Sequence, residues 1–359
     1  MKWLNVLLVF LPIAAFLEFT GGNPTLIFLS AALAILPLAG IMGQATEQLA
    51  VRAGSAIGGL LNATFGNATE LIIAFFALQA GKLDVVKASI IGSILGNLLL
   101  VMGLAVLVGG LKYKEQRFNL KSAGTITSLL TISLIALSIP TIFDYAARAV
   151  APGAAAQLDV NLSDAAAVVL IVMYASYLLF TLRTHKDILS TSDDDEAGEG
   201  HGGELWSVPL SVGVLAASTV AVAFMSEFLV GTLEEATASL GLTEFFVGLI
   251  LIPIIGNAAE HAAAVMFALR GKMNLSMTIS LGSTVQVALL VAPLLVLAGL
   301  LVGQPMNLVV TPLELVAIVA AVLIANSVVR DGETNWLEGV LLLGVYVILA
   351  FAVFFYPVR

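Results

Sequence analysis

Eleven apolar runs, separated by short charged or glycine- and proline-rich breaks, dominate the pattern of hydrophobic and polar positions. Each run is about 17 to 28 residues long, which is enough for a helix to cross a hydrocarbon core of about 30 Å. The pattern therefore predicts an all-α membrane protein with about eleven transmembrane helices. The runs cover residues 3–19, 24–43, 54–79, 83–110, 120–143, 164–183, 206–229, 243–269, 274–302, 312–329 and 336–356.

Composition supports this interpretation. Of the 359 residues, 60% are hydrophobic and 11% are charged, whereas about 25% of residues are charged in an average soluble domain. The chain has no cysteine, which excludes disulfides, thiolate metal ligands and cysteine nucleophiles. The net charge is −9, and no long basic run is present, so we expect a lipid bilayer and no nucleic acid as a partner.

The basic residues predict how the helices are oriented. With the N-terminus inside, eleven of the fifteen lysines and arginines lie in the inner loops and tail. The positive-inside rule then predicts a cytoplasmic N-terminus and an external C-terminus. The compact loops favour a multi-pass protein of a prokaryotic plasma membrane, with a vacuolar membrane as the alternative.

The sequence also contains an internal repeat. Residues 58–101 align without a gap to residues 248–291 at an offset of 190, with 14 of 44 positions identical. The alignment keeps Gly-Asn-Ala-x-Glu, Gly-Lys and Gly-Ser in one register. Because five spans separate the copies, an odd number, the copies cross the membrane in opposite directions. Such inverted repeats are the usual construction of secondary transporters.

The repeat divides the chain into two inverted five-helix halves plus an extra N-terminal helix. The predicted parts are the N-terminal helix 1–23, the first repeat 24–186, an acidic cytoplasmic linker 187–205 and the second repeat 206–359. The linker holds seven carboxylates and no lysine or arginine. It is either a solvated connection or a patch that concentrates or senses cations.

Two glutamates, Glu70 and Glu260, lie well inside apolar spans, where an ionisable side chain is costly. No basic residue lies deep within any predicted span, so a buried ion pair does not explain them. A carboxylate in such a place holds a proton unless a cation replaces it. This competition predicts a proton-coupled cation carrier.

The residues before each glutamate supply further oxygen ligands. Asn67 and Asn257 each precede their glutamate by three residues and share its helix face. Glycines and a proline weaken the helix at this depth and expose backbone carbonyls that can bind an ion. The predicted helix breaks are Gly66, Gly256 and Pro253, and the predicted carbonyl ligands are Thr64 and Ile254.

Other polar residues are expected to line the ion path. They are Asn62, Ser93, Asn97, Ser283 and Gln286. Asn97 and Gln286 do not occupy equivalent positions, so the two halves are chemically different. His261 either tunes Glu260, donates a hydrogen bond, or packs as an ordinary buried histidine. No second histidine stands at helical spacing from it, which argues against a metallopeptidase and against an enzyme.

This all-oxygen set suits a hard cation such as Ca²⁺, with Mg²⁺ and Mn²⁺ as alternatives. Two carboxylates balance one divalent charge and can each take a proton after release. Ca²⁺ and H⁺ are therefore the expected substrates, and no organic cofactor is expected.

The strings GLLNATFGNATELI at 59–72 and GLILIPIIGNAAEH at 248–261 resemble the cation/proton exchangers of the Ca²⁺/cation antiporter superfamily, which include vacuolar Ca²⁺/H⁺ exchangers. The resemblance implies Ca²⁺ at the membrane midplane, with Glu70 and Glu260 as shared Ca²⁺ and H⁺ sites. It also implies an acidic segment between the halves. The Na⁺-coupled branch carries Gly-Thr-Ser before its acidic residue, so Gly-Asn-Ala favours protons.

The sequence therefore predicts a secondary active antiporter that exchanges cytoplasmic Ca²⁺ for H⁺ by alternating access. The alternatives are a Na⁺-coupled Ca²⁺ exchanger, an antiporter for Mn²⁺ or another divalent cation, and a cation channel. The oligomeric state is left open.

Overall fold

The computed structural model describes residues 4–185 and 205–357, apart from the side chains at 54–56 and 63. The acidic run at 187–204, which makes up nearly all of the predicted linker, lies outside the described residues. Within the described part the chain is almost entirely helical, so the predicted all-α class is confirmed. Its one sheet pairs two-residue strands, β1 (Gln116–Arg117) and β2 (Glu333–Thr334), in antiparallel register.

The helices follow the apolar runs. In the first half they are α1 (Phe10–Phe19, after a 3-10 turn at Leu4–Val9), α2 (Pro24–Phe65), α3 (Ala68–Gln79), α4 (Leu83–Leu95), α5 (Met102–Lys112), α6 (Leu120–Val150) and α7 (Ala155–Leu179). In the second half they are α8 (Val208–Gly231), α9 (Leu233–Leu240), α10 (Glu244–Phe246), α11 (Ile252–Gly256), α12 (Ala258–Leu269), α13 (Met273–Gln286), α14 (Ala292–Leu301), α15 (Pro312–Val329) and α16 (Trp336–Phe354).

In the part of the chain that the structure describes, four π-helical segments interrupt or end these spans. They are π1 (Gly96–Val101), π2 (Phe180–Thr184), π3 (Val247–Leu251) and π4 (Val287–Val291). The segments π1 and π4 each join two α-helices into one span, Leu83–Lys112 and Met273–Leu301.

Within the described residues, eight helices are long and apolar enough to cross a membrane, and a ninth candidate is the pair Leu233–Leu240 and Glu244–Gly256, bent by 108°. Three shorter apolar helices, Leu4–Phe19, Ala68–Gln79 and Ala258–Leu269, also coincide with predicted runs. The membrane-protein class is thus confirmed, and the helices are compatible with about eleven spans.

Side-chain caps explain several of the helix starts. The Asn23 side chain accepts hydrogen bonds from the backbone N–H groups of Thr25 and Leu26 at the start of α2. Thr311 and Glu314 form a reciprocal capping box at the start of α15. Such caps satisfy backbone donors that a helix leaves unpaired, which matters most where little water is available.

Two predicted boundaries are wrong. The fifth run was expected to end at 143, but α6 continues to Val150, and the sixth was expected to begin at 164, but α7 begins at Ala155. Charged residues in 144–159 suggested a loop. They are accommodated in the helices instead, because Arg148 pairs with Asp144 one turn earlier on α6.

The second run and the start of the third run both lie in α2, which bends sharply between them. A Cβ built on Gly58 would lie 2.5 Å from the carbonyl oxygen of Ala50. Eight residues of straight helix span about 12 Å, so α2 is not straight between these positions. The bend lies near the predicted start of the third run.

The internal repeat is visible in the local structure. α3 and α12 start at 68 and 258 and end at 79 and 269, which preserves the offset of 190. Gly81 and Gly271 follow with φ of 74° and 76°, left-handed values that favour glycine. α4 and α13 then start at 83 and 273, and each leads into a π-helical segment. The two copies thus share the same order of break, turn and π segment.

The chain divides into two compact units. The first consists of Met1–Ser89, Asp195–Glu260 and Ala352–Arg359, as far as these are described. In it α8 packs along α2, and α3 packs on α8. Fully buried side chains of this unit include Phe28, Ile35, Met42, Ile73, Leu78 and Leu229.

The second unit consists of the described parts of Ile90–Asp194 and His261–Phe351. In it α6 packs against α7, α13 and α15, while α14 packs against α7. Its fully buried side chains include Leu98, Leu99, Met102, Ile126 and Leu170.

Candidate functional site

Both copies of the Gly-Asn-Ala-x-Glu motif interrupt a helix and restart it. Asn67 separates α2 from α3 with φ of −98° and ψ of 19°, and Asn257 separates α11 from α12 with φ of −102° and ψ of 11°. Glu70 and Glu260 then lie in the first turn of α3 and α12. The partial positive charge of a helix N-terminus stabilises a carboxylate at such a position.

The two motif copies come into direct contact within the first unit. A Cβ built on Gly256 would lie 3.3 Å from Cα and 3.4 Å from Cβ of Glu70. α11, which carries Gly256, packs against both α2 and α3. Glycine therefore allows the break of one copy to approach the glutamate of the other.

The oxygen-bearing groups at this contact are shielded to different degrees. Glu70 is 1% exposed, whereas Glu260 is half-buried. Asn67 and Asn257 are both buried. The Asn257 side chain donates from Nδ2 to the carbonyl oxygen of Pro253 at 3.1 Å, which fixes the orientation of its amide. An oriented amide and a buried carboxylate both carry oxygen atoms of the kind that hard cations bind.

The predicted carbonyl ligands lie beside the breaks. Thr64 is exposed near the end of α2, and its hydroxyl donates to the carbonyl oxygen of Leu60 at 2.8 Å. Asn62 is also exposed, and its carbonyl oxygen accepts from the N–H of Gly66 at 2.8 Å. Ile254 is half-buried within α11. Ion binding by the Thr64 and Ile254 carbonyls stays a prediction.

His261 follows Glu260 on α12 and is half-buried. Consecutive residues of an α-helix point about 100° apart, so the two side chains leave the helix in different directions. The Nε2 atom of His261 is buried and has no hydrogen-bond partner among the described residues. An influence of His261 on Glu260 stays a prediction.

In the second unit, two of the predicted lining residues bind each other. Asn97 on π1 donates from Nδ2 to the hydroxyl oxygen of Ser283 on α13 at 3.0 Å, and both are buried. Ser93 is buried one turn before Asn97, and Gln286 is half-buried at the end of α13. The Asn97 to Ser283 bond joins equivalent spans of the two sequence copies.

One cluster that the sequence analysis did not single out lies in the turns at the outer side of the predicted topology. Lys82 binds Glu244 at 2.7 Å and Glu234 at 3.0 Å. The hydrogen bond that Lys82 donates to the Glu244 carboxylate is the main cause of a raised pKa of Lys82. The Gly-Lys pair that both repeats share marks Lys82 in the sequence. Its partners Glu234 and Glu244 lie more than 150 residues away along the chain, so only the folded structure identifies them.

Comparisons with known proteins agree with this arrangement. A family described as sodium/calcium exchanger protein matches residues 23–183 and 210–355. A Ca²⁺/H⁺ antiporter of Aphanothece halophytica is 47% identical, over 98% of this chain and 96% of that protein. A Ca²⁺/H⁺ antiporter of Synechocystis sp. is 48% identical, over 98% and 97%.

Among solved structures, a selenium-substituted Ca²⁺/H⁺ antiporter protein, YfkE, is similar throughout. It matches with a TM-score of 0.83 and 39% identity, over 99% of each chain. The family match over most of the chain, the two relatives at 47% and 48% identity and the full-length structural match show that the chain belongs to the sodium/calcium exchanger protein family.

Proposed function

We propose that this protein is a secondary active antiporter that exchanges cytoplasmic Ca²⁺ for H⁺ by alternating access. The observation that carries the proposal is the contact between Gly256 and Glu70, which joins the two motif copies at a buried carboxylate. The relatives named as Ca²⁺/H⁺ antiporters, at 47% and 48% identity over nearly the whole chain, support the choice of ions. The proposed location is a prokaryotic plasma membrane with a cytoplasmic N-terminus.

Glu70 and Glu260 are the proposed shared sites for Ca²⁺ and protons. Together the two carboxylates carry a charge that balances one Ca²⁺, and after its release each can accept one proton. Ca²⁺ takes six to eight oxygen ligands, which the amides of Asn67 and Asn257 and nearby backbone carbonyls supplement. Ca²⁺ is written here as the transported substrate, and the proposal requires no organic cofactor.

The coupling of the two ions follows from electrostatics. A site loaded with Ca²⁺ or with two protons is close to neutral, whereas the empty site holds the negative charges of both glutamates within a membrane span. Moving a site with a net charge of −2 across a membrane is strongly disfavoured. Conversion between inward and outward access is therefore expected for the two loaded forms and not for the empty form, which makes transport an exchange.

The test is ⁴⁵Ca²⁺ uptake into proteoliposomes under an imposed pH gradient without Na⁺. Glu70→Gln and Glu260→Gln keep the size of the side chain and remove its charge, so both are expected to reduce uptake to the background of empty liposomes. Glu235→Gln is the matched control, because Glu235 is exposed on α9, and it should transport normally.

Three results would contradict the proposal. Normal uptake by Glu70→Gln would remove the proposed site. Uptake that requires a Na⁺ gradient would assign the protein to Na⁺-coupled exchange. Currents far above the turnover of a carrier would indicate a channel.

A further inference from the structure

An ion pair that the proposed exchange does not use joins two elements of the first unit. Lys82 donates from Nζ to Oε1 of Glu244 at 2.7 Å, and the two side chains are 25% and 32% exposed. Lys82 lies in the turn after α3, and Glu244 begins the helical segment Glu244–Gly256, which consists of α10, π3 and α11. The ion pair therefore connects the helix of the first motif copy to the segment that leads to the second.

Short hydrogen bonds fix both partners to their helices. The backbone N–H of Lys82 donates to the carbonyl oxygen of Ala77 in the last turn of α3 at 2.9 Å. The side chain of Thr243 caps the helix that Glu244 begins, because its hydroxyl oxygen accepts from the backbone N–H of Phe246 at 3.0 Å. Neither charge is carried by a long loop, so the ion pair restrains the two helices themselves.

The same two elements meet again at their other ends, in the candidate site. α11 packs against α3, and a Cβ built on Gly256 would lie 3.3 Å from Cα of Glu70. Lys82 follows Glu70 by twelve residues, and Glu244 precedes Gly256 by twelve residues. The two elements thus run antiparallel, and twelve residues of α-helix cover about 18 Å. The ion pair holds one end of this packed pair, and the contact between the two motif copies lies at the other end.

The second partner of Lys82 has a different place in the fold. Glu234 accepts from Nζ of Lys82 at 3.0 Å, but its side chain is 79% exposed. It lies on α9, which packs against α2 and is separated from α10 by residues 241–243. Loss of the Glu234 carboxylate would leave the shorter bond between Lys82 and Glu244 in place. Glu234 therefore shares the charge environment of Lys82 without lying on the segment that leads to Gly256.

We propose that Lys82 is a positioning residue for Ca²⁺ binding. Its ion pair with Glu244 holds the outer ends of α3 and of the segment Glu244–Gly256 together, and thereby maintains the approach of Gly256 to Glu70. The inference rests on the proposed function in one respect, namely that Ca²⁺ binds at Glu70. It does not depend on whether H⁺ or Na⁺ is the coupling ion.

The first test is equilibrium binding of ⁴⁵Ca²⁺ to the purified protein, without any ion gradient. Lys82→Gln and Glu244→Gln should each raise the Kd for Ca²⁺ about two- to fivefold, because ion pairs between partly exposed side chains have modest strength. A direct effect of charge would have opposite signs, since loss of the positive Lys82 would favour Ca²⁺ and loss of the negative Glu244 would disfavour it. The exchanged pair, Lys82→Glu with Glu244→Lys, should lower the Kd again, and Glu234→Gln should leave it close to the wild-type value.

The second test is hydrogen–deuterium exchange of the purified protein without Ca²⁺. Lys82→Gln and Glu244→Gln should speed exchange of the backbone N–H groups at 67–71, in the first turn of α3, relative to residues 24–40 of α2. Lys87→Gln is the matched control. Lys87 pairs with Asp84 on the same helix, α4, at 3.2 Å, so its ion pair joins no two elements, and both its Kd and its exchange at 67–71 should equal those of the wild type.

Three results would overturn the proposal. The first is a Lys82→Gln variant that binds Ca²⁺ as tightly as the wild type or more tightly. The second is a rise in Kd for Glu234→Gln as large as that for Glu244→Gln. The third is exchange at 67–71 that increases no more than exchange at 24–40. A wild-type protein that binds no Ca²⁺ would contradict the proposed function, whereas the exchange measurement would still decide whether Lys82 maintains the contact.

Discussion

Replacement of Gly256 by alanine tests whether the contact between the two motif copies determines ion binding. The added methyl would lie 3.3 Å and 3.4 Å from Cα and Cβ of Glu70, closer than most carbon contacts. The first turn of α3 must then move by a few tenths of an ångström. Ca²⁺–oxygen distances span only about 2.3–2.6 Å, so this shift is as large as the whole permitted range.

The expected result is a loss of Ca²⁺ affinity with little loss of stability. Overpacking costs about 1–3 kcal/mol, and up to about 1 kcal/mol is returned because alanine favours helix over glycine. If the remaining destabilisation of about 1.4 kcal/mol falls on the Ca²⁺-loaded state and not on the empty state, KM rises roughly tenfold. The initial rate of ⁴⁵Ca²⁺ uptake against Ca²⁺ concentration measures KM directly.

Gly213→Ala is the matched control. Gly213 lies within α8, and a Cβ built there meets nothing within 4 Å, so its KM should equal that of the wild type. If Gly256→Ala melts like the wild type and its KM stays within twofold, the close approach of the two motif copies does not control binding, and the reasoning is refuted.

Two other contacts lead to measurable expectations. Because Lys82 has a raised pKa, its ion pairs stabilise the fold fully below its ordinary pKa and lose this effect as pH rises through the raised value. The difference in melting temperature between wild type and Lys82→Gln should therefore stay constant from about pH 6 to 9 and shrink only above about pH 10.4; a difference that shrinks near neutral pH would contradict it. For the bond between Asn97 and Ser283, a double-mutant cycle with alanine at each position should give a coupling of about 1 kcal/mol in unfolding free energy. A coupling near zero would show that the bond does not stabilise the fold.

Hydropathy and register predict much of this fold, because both depend on local sequence. The apolar runs predict the helices, and the shared register of Gly66 and Gly256 predicts a helix break beside each glutamate. In the structure Gly66 lies in the first break, and the second break is at Asn257, one residue after Gly256. The ends of α6 and α7 could not be predicted in this way. A charged residue in an apolar run indicates a loop unless its surroundings are known, and the burial of Asp159 depends on how α7 packs against α6 and α14.

In the candidate site, too, local sequence predicts some features and helix packing determines the others. The sequence identifies Glu70 and Asn97 as polar residues in apolar surroundings, which marks them as unusual. It does not show that Gly256 touches Glu70 or that Ser283 binds Asn97, because such contacts join residues more than 180 positions apart. These contacts depend on how the helices pack.

The π-helical segment π1 determines which side of its span faces a neighbour. A π turn contains about one more residue than an α turn, and one residue rotates everything after it by about 100°. Downstream of Gly96–Val101, this rotation directs Gly103 towards Leu342 and Leu343 of α16. Loss of one residue from the segment would restore a regular helix yet turn a bulky side chain into that interface. The extra residue thus fixes how far the second part of the span is rotated relative to the first. An insertion or deletion there changes which side chains face α16, whereas the length of the span changes little.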